Sequence, residues 1–230
     1  MDDKSYDPTI TRISSGTGQS AQSTPFDASN RRLNYGPSDF DRTHIFQGGG
    51  VFELPFGPGK RWGAEANPLV SRLLGGWTVT SNFLWQSGQP FTVISGTNTL
   101  SNRNSSRANF SGTNFNPRYT NDPATGVPFL FTPAERAQFS LPGPGQLGNT
   151  SRNQFRLPPH FVMDASVIKR VRWTETRSFE FRTQIFNLLN NPYLGFPSSG
   201  VSILTPSTFS RDLTSDSSAR VVEMAVRLNF

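Results

Sequence analysis

Three features of the 230-residue sequence predict an all-β chain, built as an antiparallel segment of a transmembrane β-barrel with long outer loops. Five stretches alternate apolar and polar residues with a period of two. The connections between them are by turns short and very long. The composition, with 20 Gly, 18 Pro and only 34% hydrophobic residues, argues against long helices. Net charge is +6, but the basic residues are scattered, with small clusters only at Lys60 and Arg61 and at Lys169, Arg170 and Arg172. That scatter speaks against a nucleic-acid partner. Cysteine is absent, which excludes disulfides and thiolate metal sites. No run of about eighteen apolar residues exists to form a membrane helix. The opening "MDDKSYDPT" is acidic and polar and is no secretory signal, so the natural start of a protein working beyond the inner membrane is expected to lie upstream.

The first strand is expected in "RTHIFQGGGVFELPF", where Phe46, Gly48, Gly50, Phe52, Leu54 and Phe56 share one face and Gln47, Gly49 and Glu53 the other. The second, "GWTVTSNFLWQSGQPFTV", sets Trp77, Val79, Phe83, Trp85, Phe91 and Val93 against Thr78, Thr80, Asn82, Gln86 and Thr92. A third and fourth, "FVMDASVIKRVRW" and "SFEFRTQIFNLLN", form a hairpin about "TETR". The fifth runs from Ala219 to Phe230. Its apolar face carries Val222, Met224, Val226, Leu228 and Phe230, with Glu223, Ala225, Arg227 and Asn229 between them.

The spans 95–160 and 190–218 are rich in Asn, Ser, Gly and Pro and read as long loops, as does the region 1–41; residues 42–230 carry the barrel strands. Loops longer than about 15 residues are unusual in a compact soluble domain. Short turns at one rim and long loops at the other are the layout of outer-membrane barrels. With Phe230 at the periplasmic rim, every long link falls outside and every short one inside. Trp77 and Trp173 then lie at inner strand ends, and Phe91 and Tyr193 toward outer ends, as interface aromatics do. Each strand exceeds the roughly 9–11 residues needed for a tilted crossing. The other architecture compatible with this pattern is a soluble or surface-exposed all-β binding module of glycan-binding type, its apolar faces buried.

The segments "YGPSDFDRTHIFQGGGVFELPFGPGKRW", "LLGGWTVTSNFLWQSGQPFTV", "GQLGNTSRNQFR", "FEFRTQIFNLLNNPYLGFP" and "VVEMAVRLNF" resemble the end of the barrel of TonB-dependent outer-membrane receptors of the Oar-like type, in which a carboxypeptidase-regulatory-like domain and a plug precede the barrel. The similarity runs from about Leu33 to Phe230. It implies about five terminal strands of a barrel of roughly 22, in the bacterial cell outer membrane. The expected partners are outer-membrane lipid, the plug and remaining strands of the same receptor, the outer-membrane assembly machinery and, through the plug end, the TonB system. It also implies that Phe230, with Leu228, Val226 and Met224, is the signal read by that assembly machinery. Met1 is then internal, and the function is energy-coupled uptake of a bulky ligand.

No catalytic site is expected. No Ser sits in a nucleophile elbow, and "PGPGQLG" lacks the Lys of a phosphate loop. His44 and His160 lack a carboxylate at ligand spacing, so neither metal nor other cofactor is expected. Asp39 and Asp41 beside Arg42 read as a solvated turn or a salt bridge rather than a Ca²⁺ site. The acceptor-like triplets "NSS", "NFS" and "NTS" are what chance gives in such a composition. "TPAERAQF" carries Thr132, Pro133 and Glu135 in the order of a helix start, so a short helix is expected there. In a complete barrel Glu180, Arg182, Gln184, Glu223 and Arg227 face the lumen, where they pair across strands or meet plug or substrate.

Overall fold

Alternation becomes pairing in the computed structural model, which describes residues 30–38, 40–64, 67–99, 106–113, 115–172, 174, 176–192, 202–207, 209–211 and 219–230. In chain order the elements are β1 (Ile45–Glu53), α1 (Pro68–Leu74), β2 (Trp77–Gln86), β3 (Pro90–Phe91), β4 (Asn109–Phe110), β5 (Thr120–Asn121), β6 (Pro128–Phe129), α2 (Pro133–Arg136), β7 (Phe139–Ser140), β8 (Phe155–Arg156), β9 (His160–Arg172), β10 (Ser178–Phe186) and β11 (Val221–Asn229). They divide into two units. One is drawn from Ile45–Trp85, His160–Pro192 and Ser217–Phe230, the other from Met1–His44, Gln86–Pro159 and Tyr193–Asp216.

The first unit is a five-stranded sheet in the order β1-β2-β9-β10-β11, with β1 and β11 at its edges. The β9–β10 hairpin is tight, and β10 pairs β11 antiparallel from Ser178 opposite Asn229 to Phe186 opposite Val221. Strand β10 stops at Phe186, short of the expected Asn190, because Asn187 turns left-handed at φ 51°. There its N–H donates to Asp164 Oδ1 at 2.9 Å and its own Oδ1 accepts from Asn191 N at 3.0 Å.

This first unit has inverted polarity. Among its described residues no apolar side chain is buried, while Ser71, Ser166, Lys169, Glu180 and Asn187 are. Phe46, Phe52, Phe83, Val222, Met224, Val226 and Leu228 stand exposed. Aromatic rings run along this apolar face, with Phe46 and Trp85 centred 5.5 Å apart and Phe83 and Phe161 6.3 Å apart. Gly48 exists to admit one of them: a Cβ there would lie 2.9 Å from the Phe83 ring. A soluble sheet would bury such a face under a second layer.

The second unit takes in most of the spans read as long loops and has a core of its own. Its core joins Phe91, Val93, Ala108, Leu130, Phe131, Phe139, Phe155, Leu157, Ile203 and Phe209. The rings interlock at centroid distances such as 4.9 Å for Phe110 with Phe139 and 5.5 Å for Phe131 with Phe209. Short strand pairs frame them, β3 with β8, β4 with β7 and β5 with β6. The expected second strand therefore ends early: β2 stops at Gln86, and Pro90, which has no N–H to continue a ladder, opens β3. The helix expected at Thr132 forms. Glu135 N donates to Thr132 Oγ1 at 3.3 Å, and Thr132 N donates to Glu135 Oε2 at 2.7 Å.

Polar pegs complete this unit. Asn149 clamps the backbone of Phe110, accepting from its N–H at 2.6 Å and donating to its carbonyl at 3.0 Å. Arg107 is buried and donates to the Thr150 and Leu33 carbonyls. Desolvation, with Arg152 nearby, pushes its guanidinium down to about 10, so it remains charged at neutral pH.

Phe131 is the hub of this core, and Phe131→Ala is expected to lower stability by about 3–5 kcal/mol, measured by urea unfolding of the purified protein in detergent. The half-exposed Leu141, changed to Ala, should stay within about 0.5 kcal/mol of the parent.

Candidate functional site

Antiparallel partners that lie side by side point to the same face of a sheet. The register sets Glu180 opposite both Arg170 and Arg227, Arg182 opposite Ala225, and Gln184 opposite both Ser166 and Glu223. Glu180, Arg182, Gln184, Glu223 and Arg227 therefore share one face, the polar one.

Glu180 is its hub. One carboxylate oxygen accepts from Arg170 Nη2 at 2.6 Å and Nε at 3.2 Å, and the other accepts from Arg182 Nη2 at 3.0 Å. Two guanidiniums on one nearly buried carboxylate form a charge-assisted pair in fixed geometry. The polar ladder continues onto β2, where the Thr80 and Ser166 hydroxyls meet at 2.6 Å and Asn82 Nδ2 donates to Asp164 at 3.5 Å.

Toward the tight turn the face opens into a recess of about 480 Å³, lined by Arg170, Arg172, Arg177 and Arg227 with Glu180 at its side. Among the described residues Arg172, Arg177 and Arg227 carry no side-chain ion pair. A neighbouring recess of about 590 Å³ adds Lys60 and Arg72, with Glu53 held to Lys60 at 2.8 Å. This rim can hold anionic groups through guanidinium forks. Among the described residues no three His, Cys, Asp or Glu side chains converge on a metal position.

The remaining expected residues separate. Met224, Val226 and Leu228 stand exposed on the edge strand β11, and Phe230 beyond it is 95% exposed. Trp77 opens β2, its Nε1 donating to Leu73 O at 3.1 Å. Trp173, Tyr193 and Asp39 lie outside the described residues. Phe91 is not an interface aromatic: at 1% exposure it is a core residue, packed 6.0 Å from both Phe131 and Phe155, because the chain leaves the sheet before reaching it. Asp41 pairs with Arg156 rather than Arg42, which reaches Gln89 Oε1 at 3.3 Å.

One residue was missed. Lys169 stands on the apolar face between Val167 and Val171, and its Nζ donates to the carbonyls of Arg72 and Leu73, at 2.7 Å each, and of Gly75. A lysine in the apolar register of β9 was the available signal.

Because its guanidinium partners are half exposed, Glu180→Gln is expected to cost about 1 kcal/mol in urea unfolding. Glu223→Gln, opposite a neutral Gln184, should cost less.

No curated protein and no solved structure matches the chain. A family model does, described as an outer membrane beta barrel domain and matching residues 4–223. That match covers most of the strands and both units, and it agrees with a sheet whose buried side chains are polar and whose apolar ones are exposed or half-buried. The protein resides in the bacterial outer membrane, and the chain belongs to the family of outer membrane beta-barrel domains.

Proposed function

We propose that this chain is the terminal barrel portion of a TonB-dependent receptor of the Oar-like type, which takes up a bulky ligand with energy relayed from the inner membrane. The observation that carries the reading is the division of labour in the chain. A sheet with a lipid-compatible face supplies a wall, and the long connections between its strands carry a phenylalanine-cored unit of their own. An elaborate folded unit on such connections suits contact with a large ligand. The five co-facial residues on the polar face would line the lumen. There the Arg170, Arg172, Arg177 and Arg227 cluster would meet the plug or an anionic group of the cargo. The resemblance of five segments, in order, to the Oar-like barrel end supports the same reading.

The exposed row Met224, Val226, Leu228 and Phe230 would serve as the signal by which the assembly machinery engages β11. Trp77 would sit at the inner interface.

The test is genetic. Disrupting the gene in its host is expected to abolish growth on one or more large nutrients in a panel of glycans, peptides and metal chelates, and loss of TonB should reproduce that defect. A defect that is indifferent to TonB would overturn energy-coupled uptake. Deleting Phe230 from the intact protein is expected to lower the heat-modifiable, membrane-inserted fraction several-fold, read by electrophoretic mobility of unboiled outer membranes. Unchanged insertion would remove the assembly role.

A further inference from the structure

The connection between β1 and β2 is built backwards for a segment bathed in water. In α1 the buried side chain is Ser71, at 4% exposure, while Leu69 and Leu73 are 74% and 70% exposed, and Val70 and Leu74 stand out beside them. A helix against water turns its apolar stripe inward. Here the inward side meets glycine backbone instead. Gly57, at φ +104°, comes so close to Gly75 that a Cβ on it would lie 2.7 Å from the Gly75 Cα.

The helix is also fixed in this orientation. Asn67 Oδ1 accepts from Leu69 N at 3.0 Å at its start. At its end Trp77 Nε1 donates to Leu73 O, and Lys169 Nζ satisfies the carbonyls of Arg72, Leu73 and Gly75 while lying 5.0 Å from the Trp77 ring centre. Both pinning side chains come from the apolar register of the sheet, so the displayed leucines continue its exposed apolar face. Beside them Phe56 and Trp62 pair at 5.3 Å, with the Arg61 guanidinium 5.3 Å from the Trp62 ring centre. Arg61 and Arg72 are exposed, whereas the Lys60 charge is shared with Glu53.

We propose that α1 with the Phe56–Trp62 pair is a membrane-interface foot, seated in the periplasmic leaflet. Leu69, Val70 and Leu73 enter the acyl region, and Arg61 lies at the phosphates of anionic phospholipid. The inference rests on the sheet lying in the outer membrane. Two arguments select lipid over a protein partner: Trp77 and Lys169, which pin the helix, belong to the apolar register of the strands, and one short connection brings together exposed apolar, aromatic and basic residues, the composition of an interfacial segment. The tight β9–β10 turn lies at the same rim, and short turns mark the periplasmic side of such barrels.

The chain's lack of cysteine makes the test direct. Single variants Leu73→Cys, Met224→Cys and Ala124→Cys would each carry a nitroxide label in isolated outer membranes. Accessibility to oxygen would be compared with accessibility to a water-soluble nickel chelate. The ratio at Leu73 is expected to match that at Met224 within about twofold and to exceed that at the exposed Ala124 by about tenfold. A water-like ratio at Leu73 beside a lipid-like one at Met224 would overturn the foot and leave the membrane placement intact. Protection from both reagents at Leu73 would mean that a protein segment covers the helix, which also overturns it. A water-like Met224 would overturn the membrane placement of β11 itself.

A second measurement addresses the headgroups. In the reconstituted protein, adding phosphatidylglycerol to phosphatidylethanolamine vesicles is expected to raise the Leu73 ratio several-fold, and this response should vanish in Arg61→Gln. Equal ratios in both lipids would overturn the anionic-lipid contact.

Discussion

Backbone amides in an apolar solvent have no water to turn to, and this constraint governs the arrangement of the sheet. Each strand that crosses must satisfy its N–H and C=O groups on its neighbours, so β1, β2, β9, β10 and β11 form one uninterrupted antiparallel ladder. Residues that would break the ladder stand at its ends: Asn187 after β10, and Pro90 beyond the end of β2. The outward edges of β1 and β11 carry the same requirement.

With the ladder fixed, side-chain polarity follows from what each face touches. On the apolar face rings and aliphatic chains are left uncovered, and Gly48 gives up its side chain so that the Phe83 ring can lie over it. The polar face stores its charge in a compact arrangement, one carboxylate shared by Arg170 and Arg182, while the guanidiniums nearer the tight turn stay uncommitted. Lys169 makes the two faces unequal in a further respect. It is a cation placed on the apolar side whose charge is taken up by three backbone carbonyls.

The strands were legible because a period of two over nine or more residues survives any tertiary context, as β11 illustrates from Val221 to Asn229. The co-facial grouping of Glu180, Arg182, Gln184, Glu223 and Arg227 was legible for the same reason, since register carries parity across the hairpin. The phenylalanine core was not legible. Phe91, Phe131, Phe139, Phe155 and Phe209 sit in two-residue strands or irregular segments, where no periodicity announces that they meet. Phe91 was misassigned because apolar alternation continues through the break at Ser87 to Gln89, and pattern alone does not register that a strand has left its sheet. The orientation of α1 was hidden too, as a seven-residue stretch with four aliphatics reads the same whether its leucines point in or out.

The interleaving of the two units bears on how such a chain can fold. The phenylalanine core joins Phe91 to Phe209, and the β2–β9 pairing spans everything between Gln86 and His160, so most stabilising contacts are remote in sequence. High contact order makes folding slow, and here neither unit closes before nearly all of the chain has emerged. Aromatic-rich stretches that will end up shielded by one another or by lipid must first travel together, uncovered, through an aqueous compartment. The yield of this fold therefore depends on keeping those stretches from meeting other chains before their own contacts close.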